Sequence, residues 1–110
     1  MSKNEAVMTL NDDNFEAEVL RSTEPVLLEL GARWCAPCRA LAPVVAELAH
    51  EYAGRVKLAQ LDVDDNPRVP TRFEVRSVPT LLLFANGRVV GQLVGARPKP
   101  AIVALLQKAL

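Results

Sequence analysis

Two rhythms of apolar residues divide this chain. Nearly unbroken runs at Val26–Leu30 and Thr80–Ala85 have the character of strands covered on both faces, as in a parallel sheet. The run Val56–Val63, with Leu58, Ala59, Leu61 and Val63 apolar, reads the same way. From Ala36 to Tyr52 the period lengthens: Leu41, Ala42, Val45, Leu48, Ala49 and Tyr52 form a helical stripe, with Arg39, Glu47, His50 and Glu51 on the wet side. Pro43 lies inside that helix and removes the N–H that would bond the Arg39 carbonyl, so a kink is expected there. Gly54 suits the C-cap.

Shorter signals fill in the rest. Ala6–Leu10 predicts a strand. Asn11 is a good N-cap, Asp12 and Asp13 put negative charge on the next turn, and the helix that follows turns Phe15, Val19 and Leu20 inward before stopping near Ser22. Asn66-Pro67 predicts an N-cap followed by Pro at N1, opening a short helix to about Phe73 that Pro70 makes brief or irregular. Asn86-Gly87 is a two-residue hairpin signal, so Arg88–Val94 returns antiparallel to Thr80–Ala85. Gly95-Ala96 ends that strand, and Pro98–Leu110 predicts a helix burying Ile102, Leu105, Leu106 and Ala109. The order is β-α-β-α-β-α-β-β-α, an α/β fold with a mixed sheet and helices on both faces. Sites in such sheets lie beyond the carboxyl ends of the strands, where Val26–Leu30 delivers Trp34-Cys35-Ala36-Pro37-Cys38.

That segment holds the only two cysteines and the only tryptophan. Cysteines three apart on the first turn of a helix can reach each other and close a small disulfide ring. Cys35 meets unpaired backbone N–H groups and the positive end of the helix dipole, which favours a thiolate and makes it the nucleophile. Cys38, one turn further in, is more buried and is the natural resolving thiol. Pro37 fits the helix start, where a missing N–H costs little. A zinc or iron–sulfur site generally takes four ligands, and with one histidine, His50, and no second cysteine pair, such a site would need a second copy to complete it. A purely structural disulfide here closes almost no loop and constrains little unfolded-state entropy. Redox chemistry is the better reading.

Composition narrows the field further. Residues 1–110, half of them hydrophobic, are expected to form one domain with a real core. The formal net charge is zero, which argues against a general affinity for nucleic acid or an anionic membrane. The polar start Met1-Ser2-Lys3-Asn4-Glu5 is followed by no apolar stretch of signal-peptide or membrane-span character, so a cytoplasmic location is expected. Two cysteines at this spacing in that compartment point to catalysis. Asp62, Asp64 and Asp65 lack an oxygen-rich loop around them and read as solvated carboxylates at a strand end, with no metal expected. His50 is expected on a solvated face with no catalytic role.

Taken together, these stretches resemble thioredoxins over nearly the whole chain. The matching pieces are Asp12-Asp13-Asn14-Phe15, Trp34-Cys35-Ala36-Pro37-Cys38-Arg39, Ala42-Pro43, Asp62-Val63-Asp64 with Asn66-Pro67, Val75-Arg76-Ser77-Val78-Pro79-Thr80-Leu81, Phe84 with Asn86-Gly87, and Val94-Gly95-Ala96. The resemblance implies a thioredoxin fold in which Cys35 attacks a substrate disulfide and Cys38 resolves the mixed disulfide. Pro79 resembles the family's cis-proline. With Trp34, Val78, Gly95 and Ala96 it would form a flat apolar groove for a substrate segment, paired in β-like fashion with the backbone of Val78. Four departures stand out. Ala36-Pro37 occupies the usual Gly-Pro position between the cysteines, which a helix start tolerates. Glu29 stands where most members have a buried aspartate and protein disulfide isomerase domains also have glutamate; its apolar neighbours predict a buried carboxyl that titrates high and could take the proton from Cys38. Gln60 replaces a lysine often found near that acid, and Gly31 an aromatic, which leaves the groove rim barer beside Trp34.

The leading functional reading is a protein-disulfide reductase, recycled by a flavin-dependent thioredoxin reductase that uses NADPH. It needs no cofactor beyond the Cys35–Cys38 pair, acts as a monomer, and takes disulfide-containing client proteins. An oxidase or isomerase is the alternative that Glu29 suggests, although such proteins usually carry histidine between the cysteines. A non-catalytic binding module would not need both cysteines, and here both are present with the groove residues. Arg33, Arg39 and Arg76 lie beside the cysteines or the Pro79 loop in the family layout. They are either ordinary solvated arginines or, acting together, supports for the Cys35 thiolate that attract acidic clients.

Overall fold

The computed structural model describes residues 6–110. Strands β1 (Val7–Leu10), β2 (Val26–Gly31), β3 (Lys57–Asp62), β4 (Thr80–Ala85) and β5 (Arg88–Val94) form one sheet in the order β1-β3-β2-β4-β5. β1 and β2 both pair in parallel with β3, β4 runs antiparallel to β2, and β5 runs antiparallel to β4. The helices are α1 (Ala36–Glu51), α2 (Arg68–Arg72) and α3 (Lys99–Leu106), the last running into a 3-10 turn at Gln107–Ala109. The first expected helix is a short π-helical stretch, Glu16–Leu20, ended by Arg21 N–H donating to the Glu16 carbonyl. Asn11 does start that segment: its Oδ1 accepts from the N–H groups of Asp13 and Asn14 at 2.9 and 2.8 Å.

Side-chain alternation along the strands splits the core in two. On one face Leu27, Leu58, Leu81 and Leu83 pack against Leu41, Val45 and Leu48 of α1 and Ile102, Leu105 and Leu106 of α3. On the other, Leu28, Leu30, Ala59, Leu61, Leu82 and Phe84 meet Phe15, Val19 and Val69. The rings of Phe15, Phe73 and Phe84 close this second layer edge to face, with centroids 5.3 to 5.7 Å apart. β2 lies in the middle and every one of its residues is buried, as its apolar run predicts. α1 runs unbroken through Pro43, which sits on its exposed side. The hairpin between β4 and β5 turns on Asn86 and Gly87 at φ 54° and 77°, the left-handed pair a two-residue turn requires.

Two local expectations change. Asn66 does not cap α2; its side chain instead bridges the Asp12 N–H and the Asp62 carbonyl. The cap comes from across the molecule, where the Asp12 carboxylate accepts from the N–H groups of Arg68 and Val69 at 3.0 and 2.9 Å. A helix of five residues with prolines inside and beside it has little stability of its own, so an outside acceptor for its first N–H groups is what holds it. Asp62 is likewise not solvated: it is buried and accepts from the N–H groups of Asp64 and Asp65. Replacing Asp12 with alanine is expected to lower unfolding free energy by about 1–2 kcal/mol, seen as a fall in urea midpoint at unchanged slope. An unchanged midpoint would mean that α2 does not depend on this cap.

Candidate active site

The reactive end is assembled where β2 leaves the sheet. Cys35 is the N-cap of α1, with extended backbone (φ −86°, ψ 107°), Ala36 and Pro37 follow as the first helical residues, and Cys38 lies one turn in. The two cysteines form a disulfide with Cα atoms 5.2 Å apart. The Cys38 N–H donates to Cys35 Sγ at 3.2 Å. An N-cap sulfur that receives a helix N–H, at the positive end of the helix dipole, is stabilised as an anion once the disulfide opens. Cys38 is fully buried and packs with Ala32, Val63 and Val78 around the pair. Cys35 is buried in the same apolar cluster, and what sets it apart is the helix N–H that its sulfur receives.

Around the dithiol, Trp34 is exposed at 69% and its indole Nε1 donates to Asp64 Oδ2 at 2.7 Å. The Val78–Pro79 peptide bond is cis. Val78 is half-buried against the cysteines, Pro79 is buried, and the Pro79 carbonyl accepts from the Gly95 N–H at 2.8 Å. Gly95 has φ +92°, a left-handed conformation that leaves this backbone contact free of a side chain. A depression of about 180 Å³ opens beside the dithiol, walled chiefly by Trp34, Val63, Val75, Arg76, Ser77 and Val78. Of the five residues expected to make a groove, Trp34 and Val78 share this wall. Pro79 and Gly95 are joined behind it by their hydrogen bond, and Ala96 is exposed. Val63, Val75 and Ser77 stand in stretches that carry the family resemblance, but no place in the groove is expected for them from the sequence, and the apolar spacing of a short loop does not assign one. Gly31 is the buried last residue of β2, paired in register with Asp62.

Glu29 points to the α1 side of the sheet, since Leu27, two residues earlier, packs against α1. It is 1% exposed, its strand neighbours in register are Gln60 and Leu81, and Oε2 has no hydrogen-bond partner. The Gln60 amide is turned the other way and donates to Thr9 Oγ1. Desolvation by burial pushes the Glu29 carboxyl up from 4.5 to about 7. Among the arginines, Arg33 is engaged by Asp65 and Asp62, and Arg39 Nη1 donates to the Arg33 carbonyl at 2.6 Å. His50 is exposed on α1. Among the described residues there is no cluster of three or more His, Cys, Asp or Glu side chains that could hold a metal ion, and no helix is long and apolar enough to cross a membrane.

A mixed sheet that presents a cysteine pair on the first turn of a long helix is the frame of a thiol–disulfide oxidoreductase. Residues 6–108 match the thioredoxin family model. The chain is 48% identical over 102 residues to the thioredoxin of Haemophilus influenzae, covering 93% of this chain and 95% of that protein. It is 42% identical over 106 residues to the thioredoxin of Acidithiobacillus ferridurans, covering 96% and 98%, and 43% identical over 105 residues to thioredoxin 1 of a Nostoc species, covering 96% and 98%. This chain belongs to the thioredoxin family, and with its cysteine pair it is a protein-disulfide reductase of that kind.

The Glu29 shift makes folding pH-dependent with a definite sign. The folded state holds the proton more tightly than the unfolded chain, so stability is greatest below the unfolded pKa and falls as pH rises from 4.5 to about 7. A shift of this size corresponds to about 3 kcal/mol across that window. Denaturant melts of the oxidised protein between pH 4 and 8 are expected to show this decline and a plateau beyond it. Glu29→Gln should lack that component of the slope and be more stable than the parent at pH 8. Parallel curves for the two proteins would contradict the assignment.

Proposed function

We propose that Cys35 is the nucleophile, Cys38 the resolving thiol and Glu29 the proton acceptor in the reduction of client-protein disulfides. The single observation that carries this reading is the hydrogen bond from the Cys38 N–H to Cys35 Sγ at the start of α1. It supports an anion on Cys35 and on no other sulfur.

In the reduced protein the Cys35 thiolate attacks one sulfur of a client disulfide. The client S–S bond breaks, a Cys35–client disulfide forms, and the client's first thiolate leaves and takes up a proton. Cys38, shielded from water, then gives its proton to the Glu29 carboxylate. Its thiolate attacks Cys35 Sγ, closing the Cys35–Cys38 disulfide and expelling the second client thiolate. A pKa of about 7 leaves a useful fraction of Glu29 ionised at neutral pH and basic enough to accept the proton, directly or through one water. The client has gained two electrons, and a flavin-dependent thioredoxin reductase returns them to the dithiol from NADPH. No cofactor of the chain's own takes part.

Trp34, Val78, Pro79, Gly95 and Ala96 receive the client segment, with the Val78 backbone pairing to it as an added strand. The exposed indole and the depression at Val78 support that role. Residues 1–110 act as one domain, as a monomer, in the cytoplasm. Ala36-Pro37 between the cysteines supplies no histidine to lower the Cys35 pKa further, which favours the reductase over the oxidase or isomerase reading.

Insulin reduction separates the roles. Cys35→Ser is expected to abolish it, and Cys38→Ser to complete the first attack and then accumulate a mixed disulfide. In single-turnover measurements Glu29→Gln should slow the resolving step by on the order of 10² while leaving the first attack nearly unchanged. Normal turnover by Cys38→Ser would reverse the assigned order of attack. Unchanged resolution in Glu29→Gln would remove Glu29 from the chemistry.

A further inference from the structure

The rim reading of Arg33 expects a solvated cation facing clients. Its guanidinium is instead committed to one loop: Nη2 donates to Asp65 Oδ2 at 3.0 Å, and Nε lies 3.9 Å from Asp62 Oδ2. Those two carboxylates flank Asp64, the acceptor for the Trp34 indole. Asp62 uses its other oxygen, Oδ1, to take the N–H groups of Asp64 and Asp65 at 2.8 and 3.3 Å. Two consecutive side chains, Arg33 and Trp34, therefore fasten to the same four-residue turn, and Arg39 holds the Arg33 carbonyl from α1.

Charge makes this arrangement conditional. Three carboxylates within four residues repel one another, and Arg33 pairs with two of them, Asp62 and Asp65. Trp34 is too exposed for packing to fix its ring, so its orientation over the depression depends on the Asp64 hydrogen bond. That bond depends in turn on where the 62–65 turn puts Asp64.

We infer that Arg33, acting through Asp62 and Asp65, is a positioning residue for Trp34; this rests on the reading of the depression as the client groove. Arg33 supports the tryptophan through the turn and makes no contact with the sulfurs. Without it the turn loosens, the indole leaves Asp64, and a client must order Trp34 as it binds. Client affinity falls while the thiol chemistry is unaffected.

Trp34 is the only tryptophan, so fluorescence reports on it alone. Arg33→Gln is expected to lower the anisotropy of Trp34 and raise its acrylamide quenching. Asp64→Ala should do so as well, since it removes the acceptor, and Arg33→Lys should recover only part of the effect, since lysine lacks the fork that reaches two carboxylates. For insulin, Arg33→Gln should raise KM by about fivefold at nearly constant kcat, as expected on losing one exposed oriented contact. Arg33 is largely exposed, so the variant should keep its thermal midpoint. A second measurement needs no variant: wild-type quenching should increase as salt is raised from about 0.01 to about 1 M, while Arg33→Gln stays flat. Wild-type anisotropy and quenching in Arg33→Gln, or a salt-independent wild type, would overturn the inference. Failure of the wild type to reduce insulin would overturn the client-groove reading and leave the Trp34 result standing.

Discussion

β2 is covered on both faces, by α1 and α3 on one side and by the Phe15–Phe73–Phe84 layer on the other, and that burial governs both the place and the chemistry of the dithiol. A strand in the middle of a sheet, paired with β3 on one side and β4 on the other, has no freedom to shift register. Its last residues therefore deliver Cys35 to a fixed point at the N-terminus of α1. The same burial strips water from Glu29, four residues before the chain turns to the cysteines, and raises its pKa into the range where a carboxyl can exchange protons at neutral pH. One packing constraint thus sets the position of Cys35 and the raised pKa of Glu29.

The constraint works against stability. Ionising Glu29 above pH 7 with Oε2 unpartnered costs folding free energy that a leucine at this position would not. Cys35 and Cys38 show the complementary asymmetry. Apolar packing surrounds both sulfurs, and the helix N–H and dipole act on the first alone.

Much of this was legible in the chain. The runs at Val26–Leu30 and Thr80–Ala85, the 36–52 stripe and Asn86-Gly87 report local periodicity and turn chemistry, and their elements are found close to where they are expected. Glu29 stood out because one acid interrupts an apolar run. The rest depends on partners distant in sequence. Nothing in Asp12 announces that it caps a helix at Arg68, more than fifty residues away, and Glu74 takes a left-handed φ of 56° with no glycine to signal it. Asp62 was read as solvated because it stands among other acids, although an aspartate two residues before another backbone N–H is also a turn former. The pairing of Arg33 with that turn is a tertiary fact that its place in the sequence does not announce.

The central claim is that a buried cysteine pair whose first sulfur receives the N–H of a helix start makes this dithiol a donor of electrons to protein disulfides. The reduction potential of the Cys35–Cys38 couple, measured at pH 7 by equilibration with glutathione and quantified by thiol alkylation, tests this most directly. The account predicts a value near the roughly −270 mV of thioredoxins. A value near the roughly −120 mV of a strong disulfide oxidant would contradict it.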